Sequence, residues 1–145
     1  MFTPTTLFRI LCAVVFSLAA GAVSAKDWSA EDRAAFQRII SSQISAFRSD
    51  DAAKAYSFAS PGVKSKFTSS SMFMSMVRTG YPAVYRAQSF NFEGLSKELG
   101  DPTQRVKIIG PAGNTWLALY GFQKQPDGTW RISGVVVAKA PGVDA

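Results

Sequence analysis

Between Gln104 and Lys139 the chain alternates apolar and polar residues in three consecutive runs separated by two glycine- and proline-bearing turns. No other stretch limits the fold so tightly. In Thr115 to Gln123 the even positions are Trp116, Ala118, Tyr120 and Phe122, set against Leu117, Leu119 and Gly121. In Thr129 to Lys139 they are Trp130, Ile132, Gly134, Val136 and Ala138, and in Gln104 to Ile109 they are Val106 and Ile108. Successive side chains on a strand point to opposite faces, so the pattern predicts one apolar, aromatic face common to these strands. Gly110-Pro111-Ala112-Gly113-Asn114 and Gln125-Pro126-Asp127-Gly128 suit tight turns, proline by fixing φ and glycine or asparagine by accepting a positive φ. Turns this short make the strands antiparallel neighbours, a meander.

Placing Phe122 opposite Trp130 keeps the aromatic face consistent and sets Leu117 beside Val135. With Ile109 and Val137 these form an apolar strip on the other face, rimmed by Arg105, Lys107 and Arg131. A solvated sheet face does not ordinarily gather so many aliphatics. The expectation is that a terminal segment or loop covers the strip, or that two copies pack sheet to sheet as a homodimer.

The opening residues have a different character. Arg9 is the sole charge before Lys26, Ile10 to Ala20 is almost wholly apolar, and small residues follow, ending Ala22-Val23-Ser24-Ala25. A basic start, a short apolar run and an A-x-A-like exit make a secretory signal peptide over residues 1–25, cut after Ala25. The alternative is an uncleaved anchor, but glycine and serine interrupt the run before the length of about 20 residues that a span needs. The expected location is periplasmic or secreted, with no membrane span after cleavage. Cys12 lies inside the apolar run, ahead of any plausible lipid-attachment site. Residues 26–139 then form a single domain with a modest core, and 140–145 a loose tail.

Charge and cysteine narrow the function. The chain has no histidine, one cysteine and a formal net charge of +6. Disulfides are therefore excluded in the mature part, and packing must hold the fold together. The basic residues are scattered singly rather than in runs, which argues against nucleic acid and leaves only loose attraction to anionic surfaces.

The helices come first. Ser29 caps a helix whose first turn holds Glu31 and Asp32, near the outward-pointing backbone amides. Phe36, Ile39, Ile40, Ile44 and Phe47 recur at threes and fours, the stripe of a five-turn amphipathic helix that should roof the aromatic sheet face. Asp50 and Asp51 restart a short helix over Ala52 to Ala59, with Ala53, Tyr56 and Phe58 inward. Paired aspartates at a helix start with no third ligand nearby act as caps rather than metal ligands. Ser60-Pro61 begins another turn or two, and Ser69 to Ser71 leads a helix carrying Met72, Phe73, Met76 and Val77. Gly80 is expected to end it in a left-handed conformation, with Pro82 preventing continuation. Ala87 to Gly94 supplies a further strand, with Phe90 and Phe92 on one face. Helices first and strands last give an α+β class with about four antiparallel strands.

Phe58-Ala59-Ser60-Pro61, Phe67, Phe73 and the run Met76-Val77-Arg78-Thr79-Gly80-Tyr81-Pro82-Ala83-Val84-Tyr85-Arg86 resemble an uncharacterised bacterial family, domain of unknown function 4864. Gln104-Arg105-Val106 and Gly128-Thr129-Trp130-Arg131-Ile132-Ser133-Gly134-Val135 resemble its later strands. The resemblance implies an exported protein similar to the nuclear-transport-factor-2-like (NTF2-like, cystatin-like) superfamily, in which N-terminal helices fill the cone of a curved antiparallel sheet. It implies no reaction.

Without histidine or a mature cysteine there is no Ser-His dyad, no thiol nucleophile and no ordinary zinc site. No phosphate-cradling glycine loop precedes a helix, and neither cofactor nor metal is expected. What remains is a pocket between helices and sheet. Its candidate lining is drawn from Tyr56, Phe73, Trp116, Tyr120, Phe122 and Trp130, and its candidate mouth is Arg78, Tyr81, Tyr85 and Arg86. The alternative, which the residues favour, is that the same aromatics simply fill the core; the arginines either bind an anionic ligand group or brace Glu93 or a helix end. The first functional expectation is a non-catalytic domain that binds a small or amphipathic ligand or a protein partner. The second is a cofactor-free enzyme of isomerase, lyase or hydrolase type using a carboxylate and a tyrosine, as some proteins of similar fold do. Whether Asp50, Asp51, Glu93 or Asp101 points into the pocket separates them.

Overall fold

The computed structural model describes residues 28–140. The expected signal peptide and all of the tail beyond Ala140 lie outside them. Of the first of two units, Met1–Asp32, only Trp28–Asp32 are described; the second, Arg33–Ala145, carries the rest of the first helix and every later element.

Helix α1 spans Ala30–Arg48. Ser29 Oγ accepts from Asp32 N at 3.0 Å while Asp32 Oδ2 accepts from Ser29 N at 3.3 Å, a reciprocal cap that satisfies two amides otherwise left over at a helix start. Phe36, Ile39, Ile40, Ile44 and Phe47 are all buried, so the stripe read from the sequence is the core face. The helix ends on Asp50, a non-glycine residue in the left-handed region at φ 55°. Asp51 N bonds Ala46 O at 2.8 Å and Asp50 N bonds Phe47 O at 3.1 Å, the paired bonds of a Schellman ending.

Four short helices follow: α2 Ala52–Ser57, α3 Pro61–Lys66, α4 Ser70–Gly80 and α5 Pro82–Tyr85. Asp51, Ser60 and Ser69 cap the first three through Lys54 N, Val63 N and Met72 N. Two details differ from the sequence expectation. Ala55, not Ala53, is the buried alanine of α2, because capping by Asp51 sets which face turns inward. Gly80 stays helical; Tyr81 ends α4 by donating to Val77 O at 2.8 Å, and Pro82 opens α5 rather than stopping the chain.

Strands β1 Ser89–Ser96, β2 Thr103–Ile109, β3 Thr115–Lys124 and β4 Trp130–Lys139 form one antiparallel sheet in sequence order. Gly113 at φ +91° and Gly128 at φ +87° supply the left-handed residues of the two hairpins of the meander. Val106, Ile108, Ala118, Tyr120 and Phe122 are fully buried on the helix side. Phe36 stacks on Phe122 with ring centroids 4.4 Å apart and meets Trp130 edge-on at 4.9 Å, so α1 does roof the aromatic face. Burying such a ring contributes about 1.5–3 kcal/mol, and the aromatic pairing adds about 0.5–1.5 kcal/mol. The start of β4 is also tied to the helical half: Ile132 N donates to Phe58 O at 2.8 Å and Ile132 O accepts from Ser60 N at 2.9 Å.

The register of β4 corrects the sequence reading. Phe122 faces Ile132, Tyr120 faces Val135 and Ala118 faces Val137, with an irregularity between Gly121 and Phe122. Opposite residues of an antiparallel pair share a sheet face. Val135 and Val137 therefore lie on the helix side with Tyr120 and Ala118, while Leu117 and Ile109 lie on the other. The strip drawn from Ile109, Leu117, Val135 and Val137 is not one face. A bulge adds a residue to one strand, and simple alternation cannot register the change of phase it causes. The residues flanking Leu117 and Leu119 on the outer face are Ala138 and Val136, and Val136 is 49% exposed.

Among the described residues, no helix is long and apolar enough to cross a membrane.

Candidate functional site

A cavity of about 230 Å³ lies between the helices and the inner face of β3 and β4. Helix α1 contributes Gln43 and Phe47, α3 contributes Val63 and Lys66, and α4 contributes Phe73, Met76 and Val77. Tyr81 and Val84 close one side, Tyr120 and the run Ile132 to Val135 the other. The bulge is what brings Val135 to this wall beside Tyr120, since an unbroken alternation would have turned it outward.

Most of the lining is apolar, which makes its polar groups conspicuous. Tyr120 is fully buried, and its hydroxyl is the one buried side-chain polar atom without a hydrogen-bond partner among the described residues. Burial pushes its pKa well above that of an ordinary phenol, so it remains a neutral O–H donor. An orphaned buried hydroxyl costs about 1–3 kcal/mol. Gln43, 3% exposed, donates from Nε2 to Ala55 O at 3.0 Å, which fixes its amide at the cavity wall. Lys66 is the single charged residue in the lining; it is exposed and makes no ion pair among the described residues.

The candidate residues read from the sequence divide. Phe73, Tyr81 and Tyr120 do line the cavity. Tyr56 stands behind Phe73, ring centroids 5.5 Å apart, and spends its hydroxyl on Phe67 O at 2.5 Å. Trp116 is only half-buried and sits against Gly110, where a β-carbon would come within 2.9 Å of its ring nitrogen. Arg78 is exposed and reaches Ser75 Oγ at 3.4 Å.

Tyr85 and Arg86 belong to a separate cluster that anchors the end of α1. Arg86 Nη1 donates to Phe47 O at 2.6 Å, and Nη2 holds both oxygens of Asp50 at 3.0 and 2.8 Å. The Tyr85 hydroxyl also donates to Asp50, and the Arg86 guanidinium lies over the Tyr85 ring at 4.0 Å. The Tyr85 hydrogen bond and then the Arg86 bond hold the Asp50 carboxyl below its ordinary range. Arg86 braces a helix end, one of the two roles open to it, with Asp50 rather than Glu93 as its acidic partner.

No carboxylate among the described residues lines the cavity. Asp50 is bound as above, Asp51 caps α2, Glu93 is exposed on β1, and Asp101 Oδ2 accepts from Ser133 Oγ at 3.5 Å. The described residues also hold no cluster of acids, cysteines or histidines suited to a metal ion. Gln43 went unnoticed in the sequence, although a glutamine on the apolar stripe between Ile40 and Phe47 is the kind of misplaced polar residue that marks a cavity wall.

Among known proteins, a family model described as a domain of unknown function (DUF4864) matches residues 29–145. No curated protein and no solved structure matches the chain.

Proposed function

We propose that this chain, which belongs to the DUF4864 family, is an exported, non-catalytic domain of NTF2-like architecture that binds a small, mostly apolar molecule in the cavity between α1, α4 and the sheet. The observation that carries the proposal is the Tyr120 hydroxyl, buried in an apolar setting with nothing to bond. Buried polar groups almost always find a partner, and one that does not calls for a water or a ligand atom. An engineered cavity of about 150 Å³ takes up benzene, so 230 Å³ has room for roughly nine non-hydrogen atoms. The NTF2-like assignment is supported by the order of elements and by a long first helix laid on the sheet's aromatic face. Export is supported by the layout of the first 25 residues.

The carboxylate-and-tyrosine enzyme is the less supported reading, because none of Asp50, Asp51, Glu93 and Asp101 is among the described residues that line the cavity. A carboxylate in contact with protein donors and solvent stays a weak base. Titration of the mature protein with 1-octanol, followed by amide and methyl NMR, tests the binding proposal. Shifts confined to Val77, Ile132 and Val135 and their neighbours are expected. No shifts, or shifts spread over Leu117, Leu119 and Val136, overturn it.

A further inference from the structure

Resting on the binding proposal above, we infer that the ligand is an amphipathic monoanion: an apolar body bearing a neutral oxygen acceptor that meets Tyr120 Oη inside, and an anionic group that meets Lys66 at the mouth. The two ends of the cavity carry different chemistry. Inside, the orphaned hydroxyl is fully buried, and Phe47, Val77, Ile132 and Val135, which line the cavity along with Tyr120, are apolar. A charged oxygen placed there would lose its hydration with no cation to replace it, so the interior partner is a ketone, ether or amide oxygen rather than a carboxylate. A phenol kept protonated by burial donates to such an oxygen.

At the mouth the situation reverses. Lys66 is solvent-exposed, lines the opening and has no acidic partner among the described residues. An anion there keeps part of its hydration and gains an ammonium, which costs little desolvation. The absence of any lining carboxylate among the described residues removes a repulsion that an anionic ligand would otherwise meet. Tyr120 therefore sets where the acceptor sits along the ligand, and Lys66 sets the sign of its end group.

Three eight-carbon probes separate the terms: 7-oxooctanoate has both groups, octanoate lacks the ketone, and 2-octanone lacks the charge. Calorimetric or NMR titration of the mature protein is expected to rank 7-oxooctanoate about tenfold tighter than octanoate, the value of one net hydrogen bond. Tyr120→Phe should erase that preference while leaving octanoate binding in place. Lys66→Gln should bring 7-oxooctanoate down toward 2-octanone and weaken its dependence on salt. Octanoate and 2-octanone binding in the cavity with no effect of either substitution would overturn this inference and leave the cavity proposal standing. Failure of all three probes to shift any cavity residue would overturn both.

Discussion

Phe36 of α1 and Phe122 of β3 lie face to face, ring centroids 4.4 Å apart and planes 22° from parallel, with neither ring exposed to solvent. This pair joins the helical layer to the sheet, and Trp130 closes on its edge. Truncation at Phe36 removes both aromatic contacts at once. Phe36→Ala is expected to cost about 3–5 kcal/mol in urea unfolding, the range for large-to-small changes in a core. A cost below about 1 kcal/mol would mean that the helix is not seated on the sheet in this way.

Tyr120→Phe is expected to do the opposite. It removes a hydroxyl that has lost water and gained nothing, while keeping the ring in place. The ligand-free protein should gain about 1 kcal/mol, read as a higher urea midpoint with an unchanged m-value. A destabilised variant would show that the hydroxyl has a partner after all.

The Asp50 cluster gives a pH dependence with a definite sign. Its carboxyl titrates lower in the folded chain than in the unfolded one, where about 3.9 is ordinary. The contribution is therefore complete above about pH 4 and is lost as pH falls below that toward the folded value. Asp50→Asn should flatten this part of the stability profile below about pH 4. Glu98, held low by Arg105 and Ser96, and Asp127, held low by Thr129, leave a residual slope of the same sign. A profile unchanged by Asp50→Asn would show that Arg86 and Tyr85 do not favour the ionised form.

Gly110 is a matter of space. An added methyl group would sit 2.9 Å from Trp116 Nε1 and 3.5 Å from the Ala83 side chain, so the indole must move. Gly110→Ala is expected to cost about 1–3 kcal/mol, and to shift the Trp116 fluorescence in the folded state. Unchanged emission would place the indole elsewhere.

The bulge predicts an asymmetry between two valine-to-lysine changes. Val135→Lys puts a charge into the cavity wall and should abolish ligand shifts along with much of the stability. Val136→Lys, on a side chain 49% exposed on the opposite face, should leave both nearly intact. The reverse outcome would restore the unbulged register.

Much of this architecture was legible from periodicity alone. The stripe from Phe36 to Phe47 and the alternation of Val106, Ile108, Tyr120 and Phe122 each identified a buried face correctly, because burial imposes its period directly on the sequence. The caps at Ser29, Asp51 and Ser60 were visible for a similar reason: the side chain that satisfies an amide sits at a fixed offset from it. The phase change in β4 was not, since Gly121 and Gly134 are compatible with either register and the bulge next to that pair depends on what lies across the sheet. The cavity was half-visible. Aromatic content marked Phe73, Tyr81 and Tyr120, but nothing local told them from Trp116 and Tyr56, which differ only in what packs beside them. Arg86 shows the same limit: its commitment to Asp50 and Phe47 O spans more than thirty residues of chain.

The double tie of Ile132 to Phe58 and Ser60 also bears on how the molecule is made. Ribosomes deliver the helices first, yet Phe36 of α1 has no ring to stack on until Phe122 of β3 emerges, and β4 in turn bonds to the helical segment through Ile132. Neither half is a plausible resting point by itself. A nascent chain halted before Thr115, which lacks both Phe122 and Ile132, should be an open, protease-sensitive coil, and the finished one should melt in a single cooperative step.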